Sequence, residues 1–109
     1  MTFRVKVTPD ALRDLEDIDD YIARNDSPAK AEAVTRRIEE AIASLEALPH
    51  RGSHPREAKV VGEDACREIF FKPYRIIYEV RGQNVTVLVI SDGRRNMQEL
   101  LNRRLLASE

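Results

Sequence analysis

Cysteine is almost absent from this 109-residue sequence, since Cys66 is the only one. A single cysteine cannot form an internal disulfide, whereas small secreted domains usually need several. No stretch approaches the roughly 20 consecutive apolar residues that a membrane-spanning helix requires. The N-terminal residues alternate apolar and polar side chains, which is not the pattern of a signal peptide. These absences predict a protein that works in the cytoplasm and not in a membrane.

Several familiar catalytic and cofactor-binding patterns are also missing. The sequence has no glycine-rich nucleotide-binding loop, and no Ser/His/Asp or Cys/His set can be placed in it. The two histidines, His50 and His54, are four residues apart and could share a zinc ion if they lay on a helix. Gly52 and Pro55 disfavour a helix there, and no third ligand is nearby. We therefore expect neither a metal site nor a cofactor.

Length and composition predict one globular domain covering residues 1–109. A chain of this length can bury one core and is too short for two. Apolar residues make up 42% and charged residues 34%, as in ordinary globular proteins. The net charge of −1 hides an asymmetry, because residues 1–65 carry −4 and residues 66–109 carry +3. The basic part could face RNA, DNA or an acidic protein, or its charges could simply be solvated.

The first half of the chain has the pattern of a strand followed by two helices. Residues 2–7 alternate apolar and polar side chains, as a strand with one buried face does. Thr8-Pro9 and Ser27-Pro28 each provide a helix cap followed by proline at the first helical position. Apolar side chains then recur every three or four residues, as far as Leu48. The turn between the two helices, before Ser27-Pro28, is short and predicts an antiparallel helical hairpin. The hairpin needs a sheet against its apolar side.

The second half is predicted to contain a loop, three strands and a short helix. Residues 49–65 hold most of the prolines and glycines of this half and are predicted to form a loop, with a short strand near residues 59–61. Three strands follow, at residues 67–71, 74–80 and 85–90. The last strand is nearly all apolar, as a strand buried on both faces is. Helical spacing returns at residues 97–106, so the expected order is β-α-α-β-β-β-α.

The order of elements and the amino-acid sequences of several segments resemble those of the RelE/ParE superfamily of toxins. The most telling segments are Tyr-Arg-Ile-Ile-Tyr-Glu-Val at 74–80, Val-Leu-Val-Ile at 87–90 and Asp-Gly-Arg-Arg at 92–95. Residues 8–18 also look like the opening helix of that family. The resemblance covers nearly the whole chain. It implies an α+β fold in which a curved antiparallel sheet carries the N-terminal helical hairpin on one face.

The resemblance also implies a function and partners. Superfamily members are toxins of type II toxin–antitoxin systems, associated with growth inhibition and plasmid stabilisation, and a cognate antitoxin neutralises them. ParE-like members poison DNA gyrase, whereas RelE-like members cleave messenger RNA on the ribosome. A disordered antitoxin segment would fold across the toxin, with its apolar residues in a groove between hairpin and sheet. Contact with DNA is expected only through the antitoxin, and a non-toxic antitoxin-binding homologue is a further alternative.

The residues available for catalysis help to choose between these alternatives. Cleavage of RNA through its 2′-hydroxyl needs one group to take a proton, one to neutralise the phosphate and one to return a proton. In a nuclease, the resemblance would assign functional roles to Arg75, Arg95 and Arg67. Arginine binds phosphate well but transfers protons poorly. RelE-like enzymes carry a C-terminal tyrosine or histidine, and residues 91–109 contain neither, which favours a ParE-like toxin that binds a protein target.

We expect binding of the target or the antitoxin to use the basic C-terminal part of the chain. The candidate residues are Arg67, Arg75, Arg94, Arg95, Met97, Arg103 and Arg104. Arg75 could instead only form an ion pair with Glu68 or Glu79. Tyr74 and Tyr78 alternate with Arg75 along their strand, so both should point to the opposite face, into the core.

Overall fold

The computed structural model describes residues 2–93 and 95–107. The helices α1 to α4 are Pro9–Asn25, Pro28–Ala43, Arg56–Val60 and Met97–Ala107. The strands β1 to β4 are Arg4–Val7, Cys66–Phe71, Tyr74–Arg81 and Asn84–Asp92. None of these helices is long and apolar enough to cross a membrane. The predicted order β-α-α-β-β-β-α is therefore present, with one additional helix, α3, between the hairpin and β2.

Both helices of the hairpin begin as the sequence predicts. The hydroxyl of Thr8 accepts a hydrogen bond from the N–H of Ala11 at 3.1 Å. The hydroxyl of Ser27 does the same for the N–H of Lys30, also at 3.1 Å. Proline stands in the first turn of each helix, where its missing N–H removes no helical hydrogen bond. Because only Asp26 and Ser27 separate the helices, α1 and α2 pack against each other as a hairpin.

The four strands form one sheet in the order β1-β4-β3-β2. Strands β2, β3 and β4 are antiparallel neighbours, as predicted, whereas β1 pairs parallel to β4. The sheet is therefore mixed rather than wholly antiparallel. A parallel pair needs a long connection, and the hairpin, α3, β2 and β3 all lie between β1 and β4 in the chain.

The sheet is covered on both faces. The face towards the hairpin joins a core made of Ala11, Ile38, Ile42, Leu45, Ile69, Ile76, Tyr78, Val85, Val87 and Ile90. The other face packs on α3 and α4 in a second cluster, made of Ala58, Cys66, Ile77, Leu88, Val89, Met97, Leu100 and Leu101. The predictions that the hairpin lies on one face and that β4 is buried on both faces are confirmed.

A buried tyrosine attaches the connection after α2 to the sheet. Tyr78 is fully buried, and its hydroxyl donates to the carbonyl of Pro49 at 2.7 Å. A Cβ at Gly52 would stand 2.5 Å from that hydroxyl oxygen and 2.7 Å from the carbonyl oxygen of Glu68, so a side chain does not fit there. Tyr74 is half-buried against the same core. The prediction that both tyrosines face the core is confirmed.

Residues 49–65 contain more regular structure than the predicted loop. A 3-10 turn spans Pro49–Arg51, and α3 occupies Arg56–Val60, so the predicted strand near residues 59–61 is wrong. Pro55 directly precedes the first residue of α3, a place where proline does not disturb a helix. A helix of five residues is too short for its apolar period to be recognised. Packing of Ala58 against the second cluster holds it in place.

An ion pair closes the edge of β4 beyond the point where β1 ends. The carbonyl of Leu88 accepts a hydrogen bond from the Arg104 guanidinium at 2.7 Å. The N–H of Ile90 donates to the Asp14 carboxylate at 3.0 Å. Asp14 and Arg104 are joined by two hydrogen bonds of 2.8 Å. If β1 continued beside β4, one of its residues would bond both the carbonyl of Leu88 and the N–H of Ile90, as in a parallel sheet. Here the side chains of Arg104 and Asp14 make those two hydrogen bonds instead.

The same pair connects the two layers of helices around the sheet. Asp14 lies on α1 and Arg104 lies on α4, so the pair links helices that cover opposite faces. A bulge accompanies this arrangement, because the pairing of β3 with β4 passes from Ile77–Val89 to Tyr78–Val87 and leaves Leu88 as the additional residue. The edge of β4, the hairpin and α4 therefore depend on one contact.

Replacement of Arg104 by methionine should strongly destabilise the fold. The Asp14 carboxylate is buried, and losing its cation should cost about 3–5 kcal/mol of unfolding free energy. Urea unfolding of Arg104→Met measures this, with Arg103→Met, at the exposed neighbouring position, as the control. Equal unfolding midpoints for the two variants would contradict a structural role for the pair.

Candidate functional site

An open pocket on the α3 and α4 side of the sheet brings together several of the candidate residues. Its lining residues, which define the Arg75 pocket, are Arg56, Glu57, Val60, Arg75, Gly93, Arg95, Asn96, Met97 and Gln98. Its volume is about 410 Å³. Helix α3, strand β3, the turn between β4 and α4 and the start of α4 supply these residues, so segments far apart in the sequence meet here.

Arg75 is held between two carboxylates. Its guanidinium donates to Glu57 at 2.8 and 3.1 Å and to Glu68 at 2.7 and 2.9 Å. The Arg75 side chain is only 19% exposed, and both carboxylates are more deeply buried. The hydrogen bonds from Arg75 lower the pKa of Glu57, and the bonds to Glu57 raise the pKa of Arg75. Glu57 and Arg75 are therefore both charged at neutral pH.

This arrangement leaves Arg75 with little capacity for another anion. Each of its three guanidinium nitrogens already donates to a carboxylate. A phosphate would have to displace Glu57 or Glu68, or bind beside both negative charges. The predicted pairing of Arg75 with Glu68 is confirmed. The predicted alternative partner, Glu79, instead accepts a hydrogen bond from Arg81 at 3.4 Å.

The pocket is also poor in groups that transfer protons at neutral pH. Its described lining includes no tyrosine, histidine or lysine, and the lowered pKa of Glu57 makes that carboxylate a weak base. The histidines lie elsewhere. The ring of His50 contacts that of Phe3 edge-on, with centroids 5.8 Å apart. The Nδ1–H of His54 donates to the carbonyl of Cys66 at 2.9 Å.

The other candidate residues have different surroundings. Arg95 is half-exposed at the pocket, with its guanidinium 3.7 Å from the Asp14 carboxylate. Arg67 donates to the carbonyls of His50 and Gly52 at 3.0 and 2.7 Å, which holds the connection after α2. Three further candidates lie on α4, where Met97 is buried, Arg104 is paired and Arg103 is exposed. Arg94 lies outside the described residues.

Sequence patterns did not identify the residues that α3 contributes to the pocket. Arg56, Glu57 and Val60 lie in a segment predicted to be a loop with a short strand near residues 59–61, and they are 15 or more residues before Arg75. A carboxylate in such a segment carries no sequence signal that it will meet an arginine on a strand. Only the packing of α3 against α4 and the second cluster brings Glu57 to Arg75.

The single cysteine is not a reactive group in this fold. Cys66 is fully buried in the cluster beneath α3 and α4. Burial raises the pKa of its thiol to about 12, and the charges of Glu79 and Glu63 add to the effect. At neutral pH the side chain is therefore a small apolar group and not a nucleophile.

Three solved structures that resemble this chain are of toxins or toxin–antitoxin systems. The chromosomal ParDE system from P. aeruginosa matches with a TM-score of 0.70 and 24% identity, over 84% of this chain and 96% of that chain. A mutant of the E. coli toxin RelE in the free state matches with a TM-score of 0.66 and 14% identity, over 98% of each chain. The RelBE2 toxin–antitoxin complex from Mycobacterium tuberculosis matches with a TM-score of 0.57 and 22% identity, over 84% of this chain and 99% of that chain. This chain therefore shares the fold of these toxins.

Sequence comparison identifies the family to which this chain belongs. Toxin ParE3 of Caulobacter vibrioides is 28% identical over 101 residues, which cover 93% of this chain and 97% of that toxin. Residues 5–97 match the family model described as the ParE toxin of the type II toxin–antitoxin system parDE. This chain belongs to the ParE toxin family.

Replacement of Glu57 by glutamine should change how stability depends on pH. A carboxyl whose pKa is lowered by folding stabilises the fold above its ordinary pKa of 4.5 and loses that contribution as the pH falls through its folded-state pKa. The wild-type protein should therefore lose unfolding free energy more steeply than Glu57→Gln below about pH 4.5. Near neutral pH, Glu57→Gln should be less stable by about 1–3 kcal/mol, because it no longer offers a carboxylate to Arg75.

Urea unfolding at a series of pH values measures this difference. Glu99→Gln is the matched control, because Glu99 is exposed on α4. Parallel acid profiles for the wild type and Glu57→Gln would show that the ion pair with Arg75 adds no stability.

Proposed function

We propose that this toxin inhibits growth by binding a protein target and not by cutting RNA. DNA gyrase is the target that the ParE family resemblance suggests, and a cognate antitoxin in the cytoplasm would neutralise the toxin. The observation that carries the proposal is the pairing of Arg75 with Glu57 and Glu68. The function of the Arg75 pocket is then recognition, with its rim available to another protein.

The electrostatics of the pocket support this choice over RNA cleavage. A scissile phosphate at Arg75 would lie beside two buried carboxylates, and like charges at such distances repel. The attacking 2′-hydroxyl would also need a base, and Glu57 is a poor one because Arg75 holds its pKa low. Binding to a protein requires neither a vacant guanidinium nor a base.

Two adjoining grooves beside α2 offer a place for the antitoxin. The first is lined by Lys30, Ala33, Val34, Arg36, Arg37, Glu40 and Phe71. The second shares Lys30, Val34 and Phe71 with it and continues to Tyr21 and Tyr74. The Arg37 guanidinium lies 5.9 Å from the centre of the Phe71 ring, so cationic groups border an apolar floor. An antitoxin segment with apolar and acidic side chains fits this combination.

A DNA supercoiling assay with purified gyrase tests the choice of target. We expect the toxin to inhibit supercoiling or to trap the cleavage complex, and the antitoxin to relieve either effect. The parallel assay maps messenger RNA cleavage on programmed ribosomes with the same toxin preparation. Cleavage at the ribosome without any effect on gyrase would overturn the proposal. Normal growth of cells that express the toxin alone would identify a non-toxic homologue.

Replacement of Ala33 by glutamate should weaken antitoxin binding. Ala33 is exposed in the groove beside α2, and a glutamate there adds bulk and a charge that repels an acidic partner. We expect the dissociation constant, measured by calorimetry, to rise by about tenfold or more, as at an interface hot spot. Ala29→Glu, an exposed position on the same helix that lines neither groove, is the control. Unchanged affinity in Ala33→Glu would exclude this groove as the antitoxin site.

A further inference from the structure

Large apolar side chains are exposed beside the Arg75 pocket. Phe70 is paired directly with Arg75 across the ladder of β2 and β3, so the two side chains are close neighbours on one face of the sheet. Phe70 is 54% exposed and Val60, which lines the pocket from α3, is 70% exposed. On this face of β2, Cys66 and Glu68 are buried and Phe70, near the end of the strand, is exposed. Phe70 and Val60 are both neighbours of Arg75, and exposed apolar groups grouped around a pocket are typical of a binding surface.

The charges that this surface presents to solvent are positive. Arg56 lines the pocket with 89% of its side chain exposed, and Arg95 is half-exposed on the other side. The carboxylates of Glu57 and Glu68 are buried and already occupied by Arg75. A partner approaching this face therefore meets two accessible arginines beside apolar groups.

The buried ion cluster makes the surface rigid. Arg75 on β3 bonds Glu57 on α3 and Glu68 on β2 at the same time. This joins the helix that carries Val60 to the strand that carries Phe70. A surface whose parts are held in place before binding loses less conformational entropy when a partner docks.

We propose that Phe70, Val60, Arg56 and Arg95 form the surface with which the toxin binds its target. The complementary surface of the target protein is acidic and has an apolar recess. This inference rests on the proposed function and names the site by which a protein target is bound. A protein partner is favoured over nucleic acid because arginine and aromatic residues are enriched at protein interfaces. Arg75, the most buried arginine of the pocket, is also already paired with two carboxylates and is not available to bind phosphate.

The position of this surface separates it from the grooves beside α2. The side chain of Phe70 shares the face of Arg75, whereas Phe71, next along β2, packs with the hairpin core and lines those grooves. Consecutive residues of one edge strand therefore serve two surfaces. Substitutions at Phe70 and Val60 should impair target inhibition and leave antitoxin binding intact.

Growth arrest and gyrase inhibition by a set of variants test the proposal. Phe70→Ser and Val60→Ser should each raise the toxin concentration needed for half-inhibition by about tenfold or more. Phe70→Leu, which keeps an apolar side chain, should retain most of the activity, and Arg56→Glu should lose it by repelling an acidic target. Leu48→Ser, at another exposed leucine outside the pocket lining, is the matched control and should behave as the wild type.

The outcomes are distinguishable because antitoxin affinity and melting temperature report folding independently of toxicity. Full inhibition by Phe70→Ser and Val60→Ser would overturn the proposal, as would parallel loss of antitoxin affinity in variants that remain folded. If Phe70→Leu is as inactive as Phe70→Ser and the wild type binds labelled single-stranded RNA, Phe70 stacks on bases and the partner is nucleic acid. A wild-type toxin that inhibits neither growth nor gyrase would instead overturn the proposed function, and this inference with it.

Discussion

The arrangement of this toxin depends on the ion pair between Asp14 and Arg104. The pair supplies the hydrogen bonds that β1 is too short to give to β4, and it links α1 on one face of the sheet to α4 on the other. The start of α4 and the turn before it form a wall of the Arg75 pocket, so the position of this helix decides whether the pocket exists. A buried contact at the sheet edge thereby supports a recognition surface that it does not itself enter.

The second constraint is the cluster of Arg75 with Glu57 and Glu68. A lone arginine on a sheet face is a good phosphate ligand, whereas an arginine that donates from every nitrogen to buried carboxylates is a structural crosslink. Related folds can host different activities, and the activity is decided by the groups around the site. In this chain, Glu57 and Glu68 occupy the Arg75 guanidinium, so Arg75 links α3 and β2 to β3 and does not act as an anion-binding residue.

Much of the fold could be predicted from periodicity and helix signals. The caps at Thr8 and Ser27, the apolar stripes of the hairpin and the alternating strand around Tyr78 are local patterns, and each of them formed as predicted. The candidate site was only partly predictable. Arg75 and Arg95 do meet in one pocket, but Arg104 closes a sheet edge and Met97 is buried in a core. A basic residue has the same appearance in the sequence whether it faces solvent, a partner or a buried acid.

The sequence by itself determined the secondary structure outside residues 49–65, the hairpin and the burial of β4 on both faces, because these follow from the spacing of apolar side chains along a short stretch of chain. Only the tertiary structure decided that β1 lies parallel to β4, that residues 56–60 form a helix and that Glu57 reaches Arg75. Those features depend on contacts between segments distant in the chain. Their energies come from burial and ion pairing in three dimensions, which no local pattern of residues records.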